Sequence, residues 1–232
     1  MKASKGTAHL AGVLYLLMGV TGFYNLMIVP AGLGSTAAEV ASHITAAETT
    51  YRVGLLSGLA ANAFFIGLVV VLYALFKDVD RDQARLLVLF VAVEIILGLA
   101  DLTFQGAPLV LLSGADFLSG FTRPQLESLS MIFLKLYGLG IRFAMTFWGL
   151  WLVPLGVLEI KSGWFPKVLG WLLFVAAAGY VAVSVAWILL PARAPAVNSV
   201  MMPFYSVGEG ATILWLLIMG AKVPVVANRT TA

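Results

Sequence analysis

The segment "FLKLYGLGIRFAMTFWGLW" (residues 133–151) combines two properties that rarely occur together. It is apolar enough to lie in lipid, yet it contains Lys135 and Arg142, seven residues apart. A Lys or Arg at the centre of a membrane helix costs about 2.5–3.5 kcal/mol on insertion scales. Both cations are therefore expected to face the interior of a helix bundle, or water, rather than lipid.

The composition of the whole chain points to the same class of protein. Of the 232 residues, 61% are hydrophobic and 11% are charged, and the mean hydropathy is +1.00. A soluble domain is typically about 25% charged. We predict an integral membrane protein that forms a single transmembrane domain over residues 1–232, with no room for a separate soluble domain. Cysteine is absent from the sequence, which excludes disulfides, thiolate metal sites and cysteine nucleophiles.

The hydrophobic pattern predicts an all-α, polytopic bundle of six transmembrane helices. Because a membrane-spanning helix needs about 20 apolar residues, the spans are placed at about 8–29, 52–76, 84–112, 125–158, 166–190 and 203–221. The third and fourth spans exceed that length, so they must tilt, kink or project from the bilayer. Pro108 and Pro154 are the expected kinks. The first apolar run continues to Val29 without a clear cleavage site, which favours a retained helix over a signal peptide.

The distribution of Lys and Arg predicts the orientation. Nine basic residues fall on the side of the amino terminus and three fall on the other side. Since basic residues accumulate on the cytoplasmic side of membrane proteins, both termini are predicted to be cytoplasmic. The nine are Lys2, Lys5, Lys77, Arg81, Arg85, Lys161, Lys167, Lys222 and Arg229, and the three are Arg52, Arg123 and Arg193.

Two loops have patterns of their own. In the first outer loop, Thr36 and Glu39 have capping-box spacing, and the apolar residues after Thr36 recur with a helical period. We expect a short amphipathic helix there, lying on the outer surface. The inner loop "KDVDRDQAR" (77–85) alternates charges, which is typical of a solvated turn.

Five ionisable residues fall within the predicted spans, and their spacing suggests ion pairs. Glu94 and Asp101 are seven residues apart in the third span, and Lys135 and Arg142 repeat that spacing in the fourth. Seven residues are close to two helical turns, so each pair shares one face of its helix. Because adjacent spans run antiparallel, Asp101 would meet Lys135 near the outer boundary and Glu94 would meet Arg142 deeper in the bundle.

The fifth residue, Glu209, leaves three acids against two bases. It lies about two turns into the last span and is flanked by Gly208 and Gly210, which would let a neighbouring helix approach closely. Asn25, Asn62 and Tyr137 could reach the same level. The unpaired acid predicts a ligand-binding pocket, open to the outer side, formed by Arg142, Lys135, Glu94, Asp101, Glu209, Tyr137, Asn25 and Asn62. The alternative is that the charges only pair helices.

The sequence offers little support for catalysis. His9 and His43 are separated by a whole bilayer in the predicted topology, so they cannot share a zinc ion. The serines in the spans have no histidine at a workable depth, which argues against a serine triad. We therefore predict no catalytic residues, no metal site, no cofactor and no nucleic-acid partner.

Two segments of the chain carry a family resemblance, "LYGLGIRFAMTFWGLWLVPLGVLEIKSGWFPKVLGWLL" (136–173) and "VGEGATILWLLIMG" (207–220). With these segments the chain resembles a bacterial membrane family catalogued as domain of unknown function 4386. Many members of that family have a histidine before "GYG" in the fourth span, where this chain has Leu136, Tyr137 and Gly138. The resemblance implies a compact multi-helix membrane protein and does not imply a reaction.

Three functions remain open at the level of sequence. The first is binding or transport of a small polar or amphiphilic ligand, for which an anion would suit Arg142 and Lys135. The second is a structural or regulatory membrane protein without catalytic activity, and the third is a lipid-modifying enzyme. The expected partners are membrane lipids and such a ligand, the expected location is the cell (inner) membrane, and the sequence does not determine the oligomeric state.

Overall fold

The computed structural model describes residues 3–30 and 32–222, so Lys2 and Arg229 of the predicted cytoplasmic set lie outside the described residues. The described chain consists of helices joined by short loops, with no strand. A π-helical turn at Tyr24–Ile28 extends the first helix, and a 3₁₀ turn lies at Asp116–Leu118. The α-helices are α1 Lys5–Phe23, α2 Ala37–Ala46, α3 Glu48–Phe76, α4 Arg81–Leu111, α5 Arg123–Leu150, α6 Leu152–Ser162, α7 Lys167–Leu189 and α8 Ala194–Ile218.

Six helical segments of the described chain are long and apolar enough to cross a membrane, as predicted for an all-α polytopic bundle. The sixth differs most from its predicted bounds, because α8 begins at Ala194 and continues through Pro203. A proline is tolerated inside a membrane helix where neighbouring groups satisfy the freed carbonyl. The segments are Lys5–Met27, Glu48–Phe76, Arg81–Leu111, Arg123–Ser162, Lys167–Leu189 and Ala194–Ile218.

Contacts between loops define the two ends of the bundle. Lys161 at the end of α6 pairs with Asp80 in the loop before α4, at 2.6 Å. Phe76 at the end of α3 stacks on Trp164 in the turn before α7, with 6.0 Å between ring centroids. We call this the basic end, because seven of the nine residues predicted to be cytoplasmic belong to it. The opposite end, which includes α2, is called the far end.

The predicted kink at Pro154 is a break between two helices at Trp151. Proline has no N–H and therefore cannot donate to the carbonyl four residues earlier, here that of Leu150. The chain turns at Trp151 and continues as α6, which packs mainly against α7. The crossing of α6 and α7 is tight, because a Cβ added at Gly170 would lie 2.6 Å from the carbonyl oxygen of Gly156. Pro108, in contrast, lies inside the continuous helix α4.

The predicted helix in the loop after α1 is confirmed as α2, with a complete capping box. The Thr36 hydroxyl accepts a hydrogen bond from the Glu39 amide, and the Glu39 carboxylate accepts from the Thr36 amide. The Ser35 and Thr36 amides lower the pKa of Glu39 because they stabilise its charged form. Val40 and Ile44 are buried, and α2 packs mostly on α5. The helix thus covers the far end of the bundle.

Two apolar clusters stabilise the bundle at different levels. The larger one occupies the half near the basic end and includes Leu72, Leu87, Leu155 and Leu173. The smaller one lies under α2 and contains Val29, Val40, Ile44 and Tyr51. Polar side chains concentrate between the two clusters, where the bundle encloses a cavity.

The loop predicted as a solvated turn contains a helix cap that is also an ion pair. One oxygen of Asp80 accepts from the amides of Asp82 and Gln83 at the start of α4, and the other accepts from Lys161. The Lys161 ammonium, followed by the amide of Gln83, lowers the pKa of Asp80. A group with a lowered pKa stabilises the folded state above its unfolded pKa, and the effect disappears as the pH falls through the lowered value.

We predict that Asp80→Ala lowers the melting temperature at pH 7 more than Lys161→Met does, because only the first variant loses both the cap and the ion pair. The difference between Asp80→Ala and the unchanged protein should shrink as the pH falls below the ordinary range of an aspartate. Thermal unfolding in one detergent across a pH series measures both effects. Equal melting temperatures for the two variants at pH 7 would contradict the assigned cap.

Candidate functional site

A cavity of about 240 Å³ lies between the two apolar clusters. Its lining includes Phe23, which is 60% exposed, so the cavity reaches the flank of the bundle beside α1. Six of the eight residues predicted to form a pocket line this cavity: Glu94, Asp101, Glu209, Asn25, Asn62 and Tyr137. None of the described lining residues is a Lys, Arg or His.

Two of the acids come from one face of α4, as their spacing predicts. Glu94 is 8% exposed, and one of its oxygens accepts a hydrogen bond of 3.0 Å from the indole nitrogen of Trp148. Asp101 is 4% exposed. The other oxygen of Glu94 (Oε2) and one oxygen of Asp101 (Oδ2) are buried without a hydrogen-bond partner among the described residues. The two carboxyls therefore present acceptor atoms that a bound cation or donor could satisfy.

Glycines at the helix crossings make room for the polar side chains of neighbouring helices. A Cβ added at Gly140 of α5 would overlap the carboxylate of Asp101. A Cβ added at Gly98 of α4 would lie 2.8 Å from the side-chain oxygen of Asn62. That oxygen is also buried without a partner among the described residues, while the amide nitrogen of Asn62 donates to the Gly58 carbonyl. Small residues at these crossings let polar groups of neighbouring helices meet.

The third acid, Glu209 of α8, joins three helices. Tyr15 of α1 donates a hydrogen bond of 2.5 Å to one carboxylate oxygen, and Tyr180 of α7 donates one of 2.5 Å to the other. Gly208 permits this arrangement, because a Cβ there would lie 2.8 Å from the Leu172 carbonyl oxygen of α7. Gly210 has open space beside it, so only the first of the two predicted glycines mediates close packing.

Asn25 is positioned by the π-helical turn after α1. Its amide nitrogen donates to the Gly54 carbonyl at 2.8 Å and to Gln105 at 2.9 Å, and its oxygen accepts from the Tyr137 hydroxyl at 3.2 Å. The Gln105 carbonyl in turn accepts from Tyr51 at 2.6 Å. Asn25 thus connects α1 with α3, α4 and α5. Its side-chain nitrogen and oxygen already have hydrogen-bond partners, which indicates that Asn25 shapes the cavity and is not a ligand-binding group.

Aromatic rings form much of the remaining wall. Trp151, at the break between α5 and α6, is 2% exposed and contacts the rings of Tyr15 and Phe65, with centroids 5.5 and 5.0 Å away. Trp148 meets Tyr180 edge to face at 5.9 Å. Faces of aromatic rings attract cations. The cavity therefore combines carboxyls with a surface that also favours positive charge.

The predicted ion pairs of Lys135 and Arg142 are wrong. Arg142 lies 3.7 Å from the ring centroid of Trp187 on α7, and Lys135 is exposed. Neither cation forms a salt bridge within the described chain. The cavity face of α5 carries Tyr137, Ile141 and Trp148, and at about 100° per residue the two cations point about 100–160° away from it. Both cations therefore lie outside the cavity.

Sequence reasoning missed several residues of the site. Tyr15, Tyr180 and Trp148 supply the hydrogen bonds to the acids, and Gln105 organises Asn25. Tyrosine and tryptophan are common in membrane helices, so their presence is a weak signal. A polar Gln105 four residues after Asp101 was the clearer clue, because both lie on the buried face of α4.

We predict opposite effects for two neighbouring glycine substitutions. Gly140→Ala should lower the stability by about 1–3 kcal/mol, the usual cost of overpacking, because the new methyl group overlaps the Asp101 carboxylate. Gly138→Ala is the matched control, since open space surrounds a Cβ there. It should be neutral or stabilising by up to about 1 kcal/mol through helix propensity. Thermal unfolding of both variants in one detergent measures the two effects. Equal melting temperatures would contradict the close contact between Gly140 and Asp101.

Comparisons with known proteins assign the chain to a family. No curated protein and no solved structure matches the chain. A family model described as Domain of unknown function (DUF4386) matches residues 10–220, which is most of the sequence and includes every residue of the cavity. The chain therefore belongs to the family DUF4386.

Proposed function

We propose that this protein binds a small organic cation, of the alkylammonium type, in the cavity and carries it across the membrane. The supporting observation is that Glu94, Asp101 and Glu209 converge on one cavity whose described lining contains no basic side chain. The sequence suggested an anionic ligand because of Arg142 and Lys135. The structure gives no support for such a ligand in the cavity, because both cations point away from it.

The charge of the cavity favours a cationic occupant. Three carboxylates that line one cavity in a low dielectric repel one another and lose their hydration. A bound cation relieves both costs, and a proton on the carboxyl does the same when the cation is absent. Glu94 and Asp101, which both line the cavity, each have a carboxylate oxygen without a hydrogen-bond partner among the described residues.

The size and the walls of the cavity narrow the class of ligand. Sites for drug-sized molecules measure about 300–1,000 Å³, so a cavity of about 240 Å³ suits a smaller one. Four aromatic residues line the cavity together with the acids: Trp148, Trp151, Phe65 and Tyr180. Aromatic rings are the usual recognition elements for alkylated ammonium groups, whose methyl groups cannot donate hydrogen bonds.

The proposed location is the cell membrane, with the basic end on the cytoplasmic side. The seven described basic residues of that end support this orientation under the positive-inside rule. In that orientation the mouth of the cavity, beside the exposed Phe23 on the flank of α1, would open toward the outer half of the bilayer. An amphiphilic cation could enter there from the lipid as well as from water.

We predict that the purified protein binds at least one of tetramethylammonium, choline and tetraethylammonium in calorimetric titrations. The neutral isostere of choline, 3,3-dimethylbutan-1-ol, should bind at least about tenfold more weakly, a difference of about 1.4 kcal/mol. Glu209→Gln should weaken the binding of the tightest of these cations by a similar factor, because the substitution removes a negative charge and keeps the shape of the side chain. Arg142→Gln, outside the cavity, should bind as the unchanged protein does.

The proposal fails if none of the three cations binds, or if the neutral isostere binds as well as choline. It also fails if Arg142→Gln removes binding while Glu209→Gln leaves binding intact. That result would show that the ligand binds at the cations of α5 and not at the acids of the cavity. Melting temperatures of both variants, measured in the same detergent, ensure that lost binding does not reflect lost folding.

A further inference from the structure

Arg142 lies on the flank of the bundle, outside the cavity, and its charge has no partner in the described chain. Its guanidinium carbon is 3.7 Å from the centroid of the Trp187 ring, so the side chain is held against α7. Among the described residues, Arg142 has one hydrogen bond outside the helix ladder, which its backbone carbonyl accepts from Ser184. A guanidinium has five N–H donors in a fixed fork. Those donors are therefore available to an anion from outside the described chain.

Lys135 is the second cation of this flank. It is exposed and, like Arg142, forms no salt bridge within the described chain. The two residues are seven apart, so they lie on one face of α5, about 10.5 Å apart along its axis. Both side chains are long and flexible enough to bend toward a group that lies between them.

The neighbouring helices bring no free negative charge to this flank. Helix α7 contains no Asp or Glu. Glu127 is the only acid of α5, and it pairs with Arg123 at 2.8 Å, about two turns before Lys135. Helix α8 contains no acid before Glu209, whose carboxylate binds tyrosines at the cavity. Helices α5, α7 and α8 therefore leave the positive charge of this flank unbalanced.

The depth of the Arg142 and Trp187 pair matches the boundary between hydrocarbon and headgroups. At about 1.5 Å per residue, Trp187 lies about 30 Å along α7 from Lys167, its first residue. The hydrocarbon core of a bilayer is about 30 Å thick, so a helix that begins at one boundary reaches the other at Trp187. Tryptophan is enriched at such boundaries. Lys135 lies still closer to the far end, at the level of the headgroups.

The surface around the two cations is otherwise apolar. Leu139 and Phe143 of α5 and Ile188 of α7 are all exposed. A free anion in water would gain nothing from these side chains. A phospholipid, in contrast, presents its phosphate at the depth of the cations and its acyl chains at the depth of the apolar residues.

We propose that this flank of α5 and α7 is a binding site for an anionic phospholipid in the leaflet at the far end. The lipid phosphate binds the guanidinium of Arg142, whose planar fork fits phosphate oxygens. The Lys135 ammonium contacts the outer part of the headgroup, and the acyl chains lie along the exposed apolar residues. The site is separate from the cavity and does not depend on the proposed function.

The position of Lys135 selects among headgroups. A zwitterionic headgroup brings its own ammonium group to the level beyond the phosphate, where Lys135 lies, and like charges repel. A headgroup without a cation, such as that of phosphatidylglycerol, avoids this repulsion. The flank should therefore distinguish phosphatidylglycerol from phosphatidylcholine, although both lipids carry a phosphate.

Native mass spectrometry of the purified protein in detergent, titrated with either lipid on identical acyl chains, tests the proposal. We expect phosphatidylglycerol to bind at least about tenfold more tightly than phosphatidylcholine. Arg142→Gln and Lys135→Gln should each weaken phosphatidylglycerol at least threefold and change phosphatidylcholine little. Arg52→Gln is the matched control, because Arg52 is exposed at the far end and already pairs with Glu48. It should bind both lipids as the unchanged protein does.

Equal affinity for the two lipids overturns the proposal, and so does unchanged phosphatidylglycerol binding in both glutamine variants. Displacement of phosphatidylglycerol by excess inorganic phosphate also overturns it, because that result identifies a site for a free anion. A protein dimer that is lost in both variants overturns it as well, since a second copy then covers the flank.

A second measurement separates lost binding from lost folding. Phosphatidylglycerol should raise the melting temperature of the unchanged protein and of Arg142→Lys, which keeps the charge, more than that of Arg142→Gln. If Arg142→Gln does not fold, Lys135→Gln decides alone, because its side chain is exposed and its replacement disturbs no described contact. Tight phosphatidylglycerol binding by a folded Lys135→Gln variant, equal to that of the unchanged protein, then overturns the proposal.

Discussion

The carboxylate of Glu209 is the interaction on which the interior depends. A carboxylate in an apolar bundle is stable only when its oxygens receive hydrogen bonds, and here Tyr15 and Tyr180 each satisfy one oxygen. These two bonds tie α1, α8 and α7 at one depth. They also hold the ring of Tyr15 against Trp151, which lies at the break between α5 and α6 and lines the cavity. The packing of three helices at this depth and the polar centre therefore depend on one buried acid.

Much of the fold was predictable, because it is set by local physical requirements. Apolar runs of about 20 residues specify membrane helices, and all six were found. The capping box of Thr36 and Glu39 depends on residues three apart, so it was visible as a pattern and is present in the structure. The shared face of Glu94 and Asp101 was predictable for the same reason, since a spacing of seven fixes their relative direction on one helix.

The partners of those acids were not predictable from spacing. A spacing of seven places Lys135 and Arg142 on one face of α5 but does not say which face meets α4. The answer lies in glycines: a Cβ at Gly140 would overlap Asp101, whereas one at Gly138 would meet open space. The two glycines look alike in the sequence. A further buried acid, Glu159 of α6, is 1% exposed and was missed for another reason: the predicted fourth span ends at residue 158, while α6 continues to Ser162.

The acids that line the cavity differ in how their oxygens are engaged. Both oxygens of Glu209 accept hydrogen bonds from tyrosine hydroxyls. Glu94 and Asp101 instead keep one free acceptor atom each, so their charge is neutralised only by what enters. A proton and an organic cation satisfy that need equally well, and occupation by one disfavours the other through repulsion of like charges.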